Sequence, residues 1–210
     1  MLILYIETNI IMAVAKGRDL EAEKLLRNPP PSINIAIPSI CYIEAINTYR
    51  KDKEYQLKFQ AEMDKQINES IRDQKSVHAK SFSRHLQKAS IENTLLLNDI
   101  QNRFSEIINL LLENAETINF QNNIIQEIGS QVFLEKETLL IKNDLMDNLI
   151  LQSILDHANQ HPSEQKVFIS GNTKDFGKQN ENVTQILNRA GIQYFSNTKH
   201  FLGWLESQSL

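Results

Sequence analysis

Apolar positions recur along this chain with two different periods. Leu2–Ile6, Ile33–Ile37, Val167–Ile169 and Ile192–Phe195 are short runs without a polar face. That is the pattern of strands buried on both sides of a sheet. Between them, apolar residues fall at helical spacing over Asn9–Lys16, Leu20–Leu26, Asp144–Ala158 and Val183–Ala190, with a terminal amphipathic stretch at Phe201–Leu205. Gly17, the run Asn28-Pro29-Pro30-Pro31, Pro38, Pro162 and Gly191 punctuate these segments. Thr8 and Ser39 are placed to cap the helices that follow them. The order β-α-β-α…α-β-α-β-α predicts a mostly parallel sheet with helices on both faces. The short apolar pieces Val132–Leu134 and Thr138–Ile141 have no clear period.

From about Tyr49 to about Gln126 the pattern changes. Glycine and proline are absent from this stretch. Leu97, Ile100, Phe104, Ile107, Leu111 and Ile118 alternate spacings of three and four, with Asn114 at the missing apolar position; this is a heptad-like seam. Phe59, Met63, Ile67, Ile71, Phe82 and Leu86 form a looser stripe upstream. Arg50–Lys88 is rich in lysine and arginine, whereas Ile91–Glu127 carries six acids and Arg103 as its one base. Two antiparallel helices joined near Gln87–Asn93 account for the seam and for the opposed charge. A basic arm that contacts RNA or a partner protein is the other reading. Gly129 is the expected end of the helical region. These boundaries divide the chain into an α/β core, 1–50 and 128–210, and a helical hairpin insertion, 51–127.

Bulk properties narrow the field. A chain of 210 residues with 41% hydrophobic content supports one sizeable core, alone or with an elaboration. The net charge of −4 argues against a general nucleic-acid binder. It is compatible with clustered acids whose charge bound cations would cancel. Cys41 is the single cysteine, which rules out an internal disulfide and a cysteine-rich zinc site and fits a cytoplasmic location. MLILYIETN lacks the basic start of a signal peptide, and no apolar run reaches the roughly 20 residues of a membrane span.

Acids recur where α/β folds place their chemistry. Glu7 follows the first strand. Glu44 interrupts the apolar run Ile40–Ile46 early on a helix. Asp144 and Asp147 lie three apart at the start of another, and Asp175 follows the third strand in Ser170-Gly171-Asn172-Thr173-Lys174-Asp175-Phe176. Each has a plain alternative. Glu7 and Asp175 can cap helices, Glu44 can face solvent, and Asp144 suits a cap better than Asp147 does. Taken together, Glu7, Glu44, Asp147 and Asp175 are candidate metal ligands and catalytic groups. Thr8, Asn9, Asp144, Asn172 and Thr173 are candidate supports. Carboxylates from separate elements suit Mg²⁺ or Mn²⁺, hard ions that activate water and stabilise the departing oxygen of a phosphodiester. His157 and His161 have the i, i+4 spacing of a zinc pair, but no glutamate follows His157 as in metalloproteases; polar groups near a helix end are the plainer reading. Phe201 and Trp204 read as core or a dimer contact, with RNA stacking as the alternative.

These residues resemble the PIN domain family. Members carry acid-Thr-Asn after the first strand (here Glu7-Thr8-Asn9), a glutamate early on a later helix (Glu44), Asp-x-x-Ile (Asp147-Asn148-Leu149-Ile150), and a closing turn matched by Ser170–Phe176. The resemblance covers about 1–50 and 130–205. It implies a three-layer α/β/α fold with a central parallel sheet, here with an inserted long helical hairpin. It also implies an endoribonuclease that uses Mg²⁺ or Mn²⁺ to hydrolyse RNA. Two departures open an alternative. The first acid is usually aspartate, and the extra methylene of Glu7 moves the oxygens by about 1.5 Å. The smallest members, among them VapC-type toxins paired with antitoxins, lack the long helical segment. A catalytically degenerate module that binds RNA or a protein partner through the hairpin fits both departures. A homodimer, an antitoxin or another protein partner is left open; a membrane is not expected.

Overall fold

The structure is a computed structural model that describes residues 1–119, 140–141 and 144–208. In chain order the elements are β1 (Leu2–Ile6), α1 (Thr8–Ala15), α2 (Leu20–Arg27), β2 (Ile33–Pro38), α3 (Ser39–Arg72), α4 (Val77–Asn114), β3 (Glu116–Ile118), α5 (Leu145–Gln160), β4 (Gln165–Ile169), α6 (Glu181–Arg189), β5 (Ile192–Phe195) and α7 (Thr198–Gln208). The five strands form one sheet in the order β3-β2-β1-β4-β5. Every pairing is parallel. All five residues of β1 are buried, as expected for a central strand covered on both faces.

Connectivity fixes the layers. The crossovers β1-α1-α2-β2 and β2-α3-α4-β3 step one way across the sheet, and β4-α6-β5 steps the other way. Right-handed crossovers then put α1–α4 on one face and α6 on the opposite one. The three-layer expectation is met. The order reverses between β1 and β4, so the carboxyl ends of these neighbouring strands flank the crevice where open α/β sheets gather functional groups.

Four local expectations need correction. The fifth strand, Glu116–Ile118, was expected within the helix; α4 ends at Asn114, and Ile118 packs in the sheet instead of on the seam. Three residues are too few to show an alternating period, which is why β3 is invisible in the pattern. The hairpin reverses at Asp73–Ser76, not near Gln87–Asn93. There the Asp73 carboxylate accepts from the Lys75 and Ser76 amides at 2.9 and 3.0 Å, and Ser76 caps α4 by accepting from Ala79 N at 3.2 Å. The basic stretch therefore crosses the turn, and opposed helix charges do not explain the pairing. Finally, Glu7 rather than Thr8 occupies the cap of α1. Pro38 rather than Ser39 occupies that of α3, with no side-chain cap bond.

The two long helices have unlike halves. Phe104, Ile107 and Leu111 of α4 are buried in the main core, where α4 meets α1. Tyr49 stacks on Phe104 with ring centroids 4.7 Å apart. Arg103 donates to the Ala15 carbonyl at 2.9 Å, placing a cation at the end of α1. Farther out, Met63 and Ile67 are buried between the helices, with polar links from Asn93 to Gln60 (2.9 Å) and from Gln60 to Ser90. Phe59, Ile71 and Phe82 of the upstream stripe are exposed. Gly129, Val132–Leu134 and Thr138–Leu139 lie outside the described residues. No helix among the described residues is long and apolar enough to cross a membrane.

Candidate acidic active site

Glu7 is the first residue beyond β1, and the reversal into α1 turns its side chain back toward the helix amides. Its Oε2 accepts from Asn9 N at 2.6 Å. Oε1 is buried and makes no hydrogen bond among the described residues, although the Ser170 hydroxyl is near enough to favour the ionised form. The residue is 2% exposed. Burial pushes its carboxyl up to about 7, and the charges of Asp147 and Glu44 push the same way.

Asp147 enters from the first turn of α5. Its amide donates to the Asp144 cap at 3.0 Å, so Asp144 organises the helix start as expected. Asn172 donates to Asp147 Oδ2 at 2.9 Å. Burial also lifts the Asp147 carboxyl to about 7, reinforced by Asp144, Glu44 and Asp175. Glu44, half-buried on the second turn of α3, accepts from the Thr8 hydroxyl, which also reaches the Cys41 carbonyl at 3.4 Å.

Asp175 sits in the turn after β4, where its amide donates to Asn172 Oδ1 at 3.3 Å. Ser170 Oγ accepts from Asn172 N at 3.0 Å. The turn is tight: a Cβ at Gly177 would lie 2.6 Å from the Thr173 carbonyl oxygen. Gly177 is therefore required for close backbone approach. Among the supports, Asn172 bonds to Asp147, Thr8 bonds to Glu44, and Asn9 contributes its amide. The Thr173 side chain is exposed.

The four acids are linked electrostatically: Asp147 and Glu44 raise the proton affinity of Glu7, and Glu44 and Asp175 raise that of Asp147. No three of them, among the described residues, bring oxygens within 4.8 Å of one another. A hard divalent ion that keeps much of its water needs only one or two carboxylates directly. An unpartnered buried oxygen on Glu7 is what such an ion would satisfy. That orphaned oxygen and the all-carboxylate donor set fit Mg²⁺ or Mn²⁺.

A family model described as PIN domain matches residues 4–176, from β1 through both long helices to the residue after Asp175. This chain belongs to the PIN domain family. Members of the family generally use divalent metal ions. No curated protein sequence matches significantly. Among solved structures, VapBC2 from Rickettsia felis bound to a DNA fragment from their promoter is similar at 17% identity and a TM-score of 0.40, covering 92% of this chain and 98% of that one.

Sequence reasoning missed three contributors around this PIN site. Ser170 is fully buried beside Glu7, and its carbonyl accepts from the Tyr194 hydroxyl at 2.7 Å. Asn148 ties α5 to the segment before it, donating to the Ile141 carbonyl at 2.7 Å and to that of Asp144 at 2.6 Å. Ser170 had a signal, the small hydroxyl residue that opens the motif turn. Tyr194 and Asn148 had none, because their roles depend on partners that only folding supplies.

Proposed function

We propose that this chain is an endoribonuclease that hydrolyses RNA phosphodiester bonds with Mg²⁺ or Mn²⁺ held by Glu7, Glu44, Asp147 and Asp175. The observation that supports this reading is the electrostatic coupling of four carboxylates carried by separate elements, two of them buried and raised to about 7. When bound, the ion would supply an activated water and charge stabilisation at the departing oxygen. The residues of the chain do the rest. Asn172 orients Asp147 by its 2.9 Å bond, and Thr8 orients Glu44. The Asn9 amide holds one Glu7 oxygen and leaves the other, buried and unpartnered, for the ion. Fixed carboxylates of this kind avoid reorganisation when charge develops. The test is cleavage of single-stranded and structured RNA with Mg²⁺ or Mn²⁺ and with EDTA. Metal-dependent cleavage that Asp147→Asn removes supports the site; undiminished cleavage by that variant sinks it.

One observation favours a second reading. Glu7 already serves as the α1 cap, a role that a longer side chain can perform by folding back. In that case the site is degenerate, and the hairpin, with Tyr55, Phe59, Ile91 and Leu95 exposed, binds RNA, a second copy or a protein partner. A silent protein that gains cleavage on Glu7→Asp supports this reading. Cleavage by the unaltered chain removes it.

A further inference from the structure

We propose that Glu116, His157 and His161 form a second cation site, separate from the acidic crevice, that binds Zn²⁺. One nitrogen from each imidazole and one Glu116 oxygen lie mutually within 4.8 Å. His157 lies in the last turn of α5 and His161 is the residue that caps its carboxyl end, their rings stacked with centroids 4.3 Å apart. Glu116 comes from β3, so the cluster joins an edge strand to the end of a helix. It lies ten residues beyond Asp147 on α5, about 15 Å along the axis at 1.5 Å per residue.

The surrounding bonds orient the donors. His161 Nδ1 donates to the His157 carbonyl at 2.9 Å, which leaves the lone pair on Nε2. His157 Nδ1 is 2.9 Å from the Tyr5 hydroxyl, and its Nε2 faces Glu116 Oε1 at 3.0 Å. Asn34 holds the other Glu116 oxygen at 2.6 Å. Facing a carboxylate oxygen, Nε2 of His157 donates in the metal-free protein. Zinc would take that position and the proton would move to Nδ1, beside the Tyr5 hydroxyl. That gives the arrangement of zinc-ligating histidines, with one ring nitrogen hydrogen-bonded and the other on the ion. A plain His157–Glu116 ion pair would not use His161. Two imidazoles and one carboxylate are the donor set of three-ligand zinc sites, with water completing the shell. The donor chemistry also separates the sites: imidazole selects zinc-like ions, and the all-carboxylate crevice selects magnesium or manganese. Bound zinc would pin the three-residue strand β3 to the helix that presents Asp147.

The test is competition for Zn²⁺ between the full chain and a colorimetric chelator, in excess Mg²⁺, with thermal unfolding followed alongside. The unaltered chain should take one equivalent, and its Tm should rise. His161→Ala and Glu116→Gln alter half-buried or exposed side chains. Each should weaken binding by at least about tenfold, the lower end of what removing even an orienting partner does. Both should shrink the Tm rise at equal Zn²⁺ while keeping a native circular dichroism spectrum. Asp147→Asn should bind zinc unchanged. No stoichiometric binding, equal binding by His161→Ala, or loss of binding in Asp147→Asn would each overturn the proposal.

Discussion

The carboxyl edge of the sheet and the far end of the α3–α4 hairpin are built in opposite ways. At the sheet edge, charged groups are buried: Glu7 is 2% and Asp147 7% exposed, and both carboxyls are raised to about 7, by burial first and then by neighbouring carboxylates. On the hairpin, apolar groups are exposed: Tyr55, Phe59, Ile71, Phe82 and Leu95 face outward, and Met63 and Ile67 are the buried apolar residues between the helices. Like charges crowded in a core oppose folding, so they persist only where other structure supports them and something is gained. Exposed apolar residues singly have little effect. The difference separates a place where sequence is constrained by chemistry from one where it is constrained by helix pairing.

The sharpest way to break this contrast is at Asp147. Asp147→Asn should reduce metal-dependent RNA cleavage by on the order of 10³-fold, the several kcal/mol that an ion contributes to charge stabilisation. Its Tm should be unchanged or higher, because a buried like charge has gone. Next come the two halves of α4. Leu111→Ala, in the main core at 1% exposure, should lower unfolding free energy by about 3 kcal/mol in urea. An equal loss from Leu95→Ala would erase the distinction between the halves.

Smaller effects sharpen the acid site itself. Glu7 and Asp147 bind protons more tightly in the native state than in the unfolded chain, where their carboxyls have ordinary values of 4.5 and 3.8. Between about pH 4 and 7 the native state therefore holds the more protons. Stability of the metal-free protein should fall as pH rises through this window and level off above about 7. Mg²⁺ affinity should run the other way, rising toward pH 7 as the ion displaces those protons. Titration calorimetry at several pH values checks both; a flat affinity would mean that neither carboxyl meets the ion. Asn172→Ala should reduce cleavage by about ten- to a hundred-fold through loss of Asp147 orientation. Leu95→Ala should shift stability by no more than about 0.5 kcal/mol.

The same contrast explains what could be read from the sequence. β1, β2, β4 and β5 were legible because each is a short apolar run in a sheet covered on both faces. The acids were legible because each follows such a run or opens a helix. β3 was not, since Glu116–Ile118 is too short for a period and, among the described residues, pairs with the end of β2 alone. The Asp73–Ser76 reversal was hidden because it uses Asp and Ser side chains, with no glycine or proline to mark it. The heptad seam was real but has two partners: Phe104 stacks on Tyr49 of α3, as a paired hairpin requires, and Phe104, Ile107 and Leu111 also join the core beside α1. His157 and His161 could be paired from their spacing, but Glu116 comes from a strand that the pattern did not reveal.

The central claim, that carboxylates from β1, α3, α5 and the β4 turn share a divalent ion, is tested most directly by crystals soaked in Mn²⁺ and measured for anomalous scattering. Peaks about 2.0–2.2 Å from oxygens of Glu7 and Asp147, in the crevice that Glu44 and Asp175 line, are the expected result. Crystals in which manganese leaves that crevice empty while binding elsewhere would contradict it.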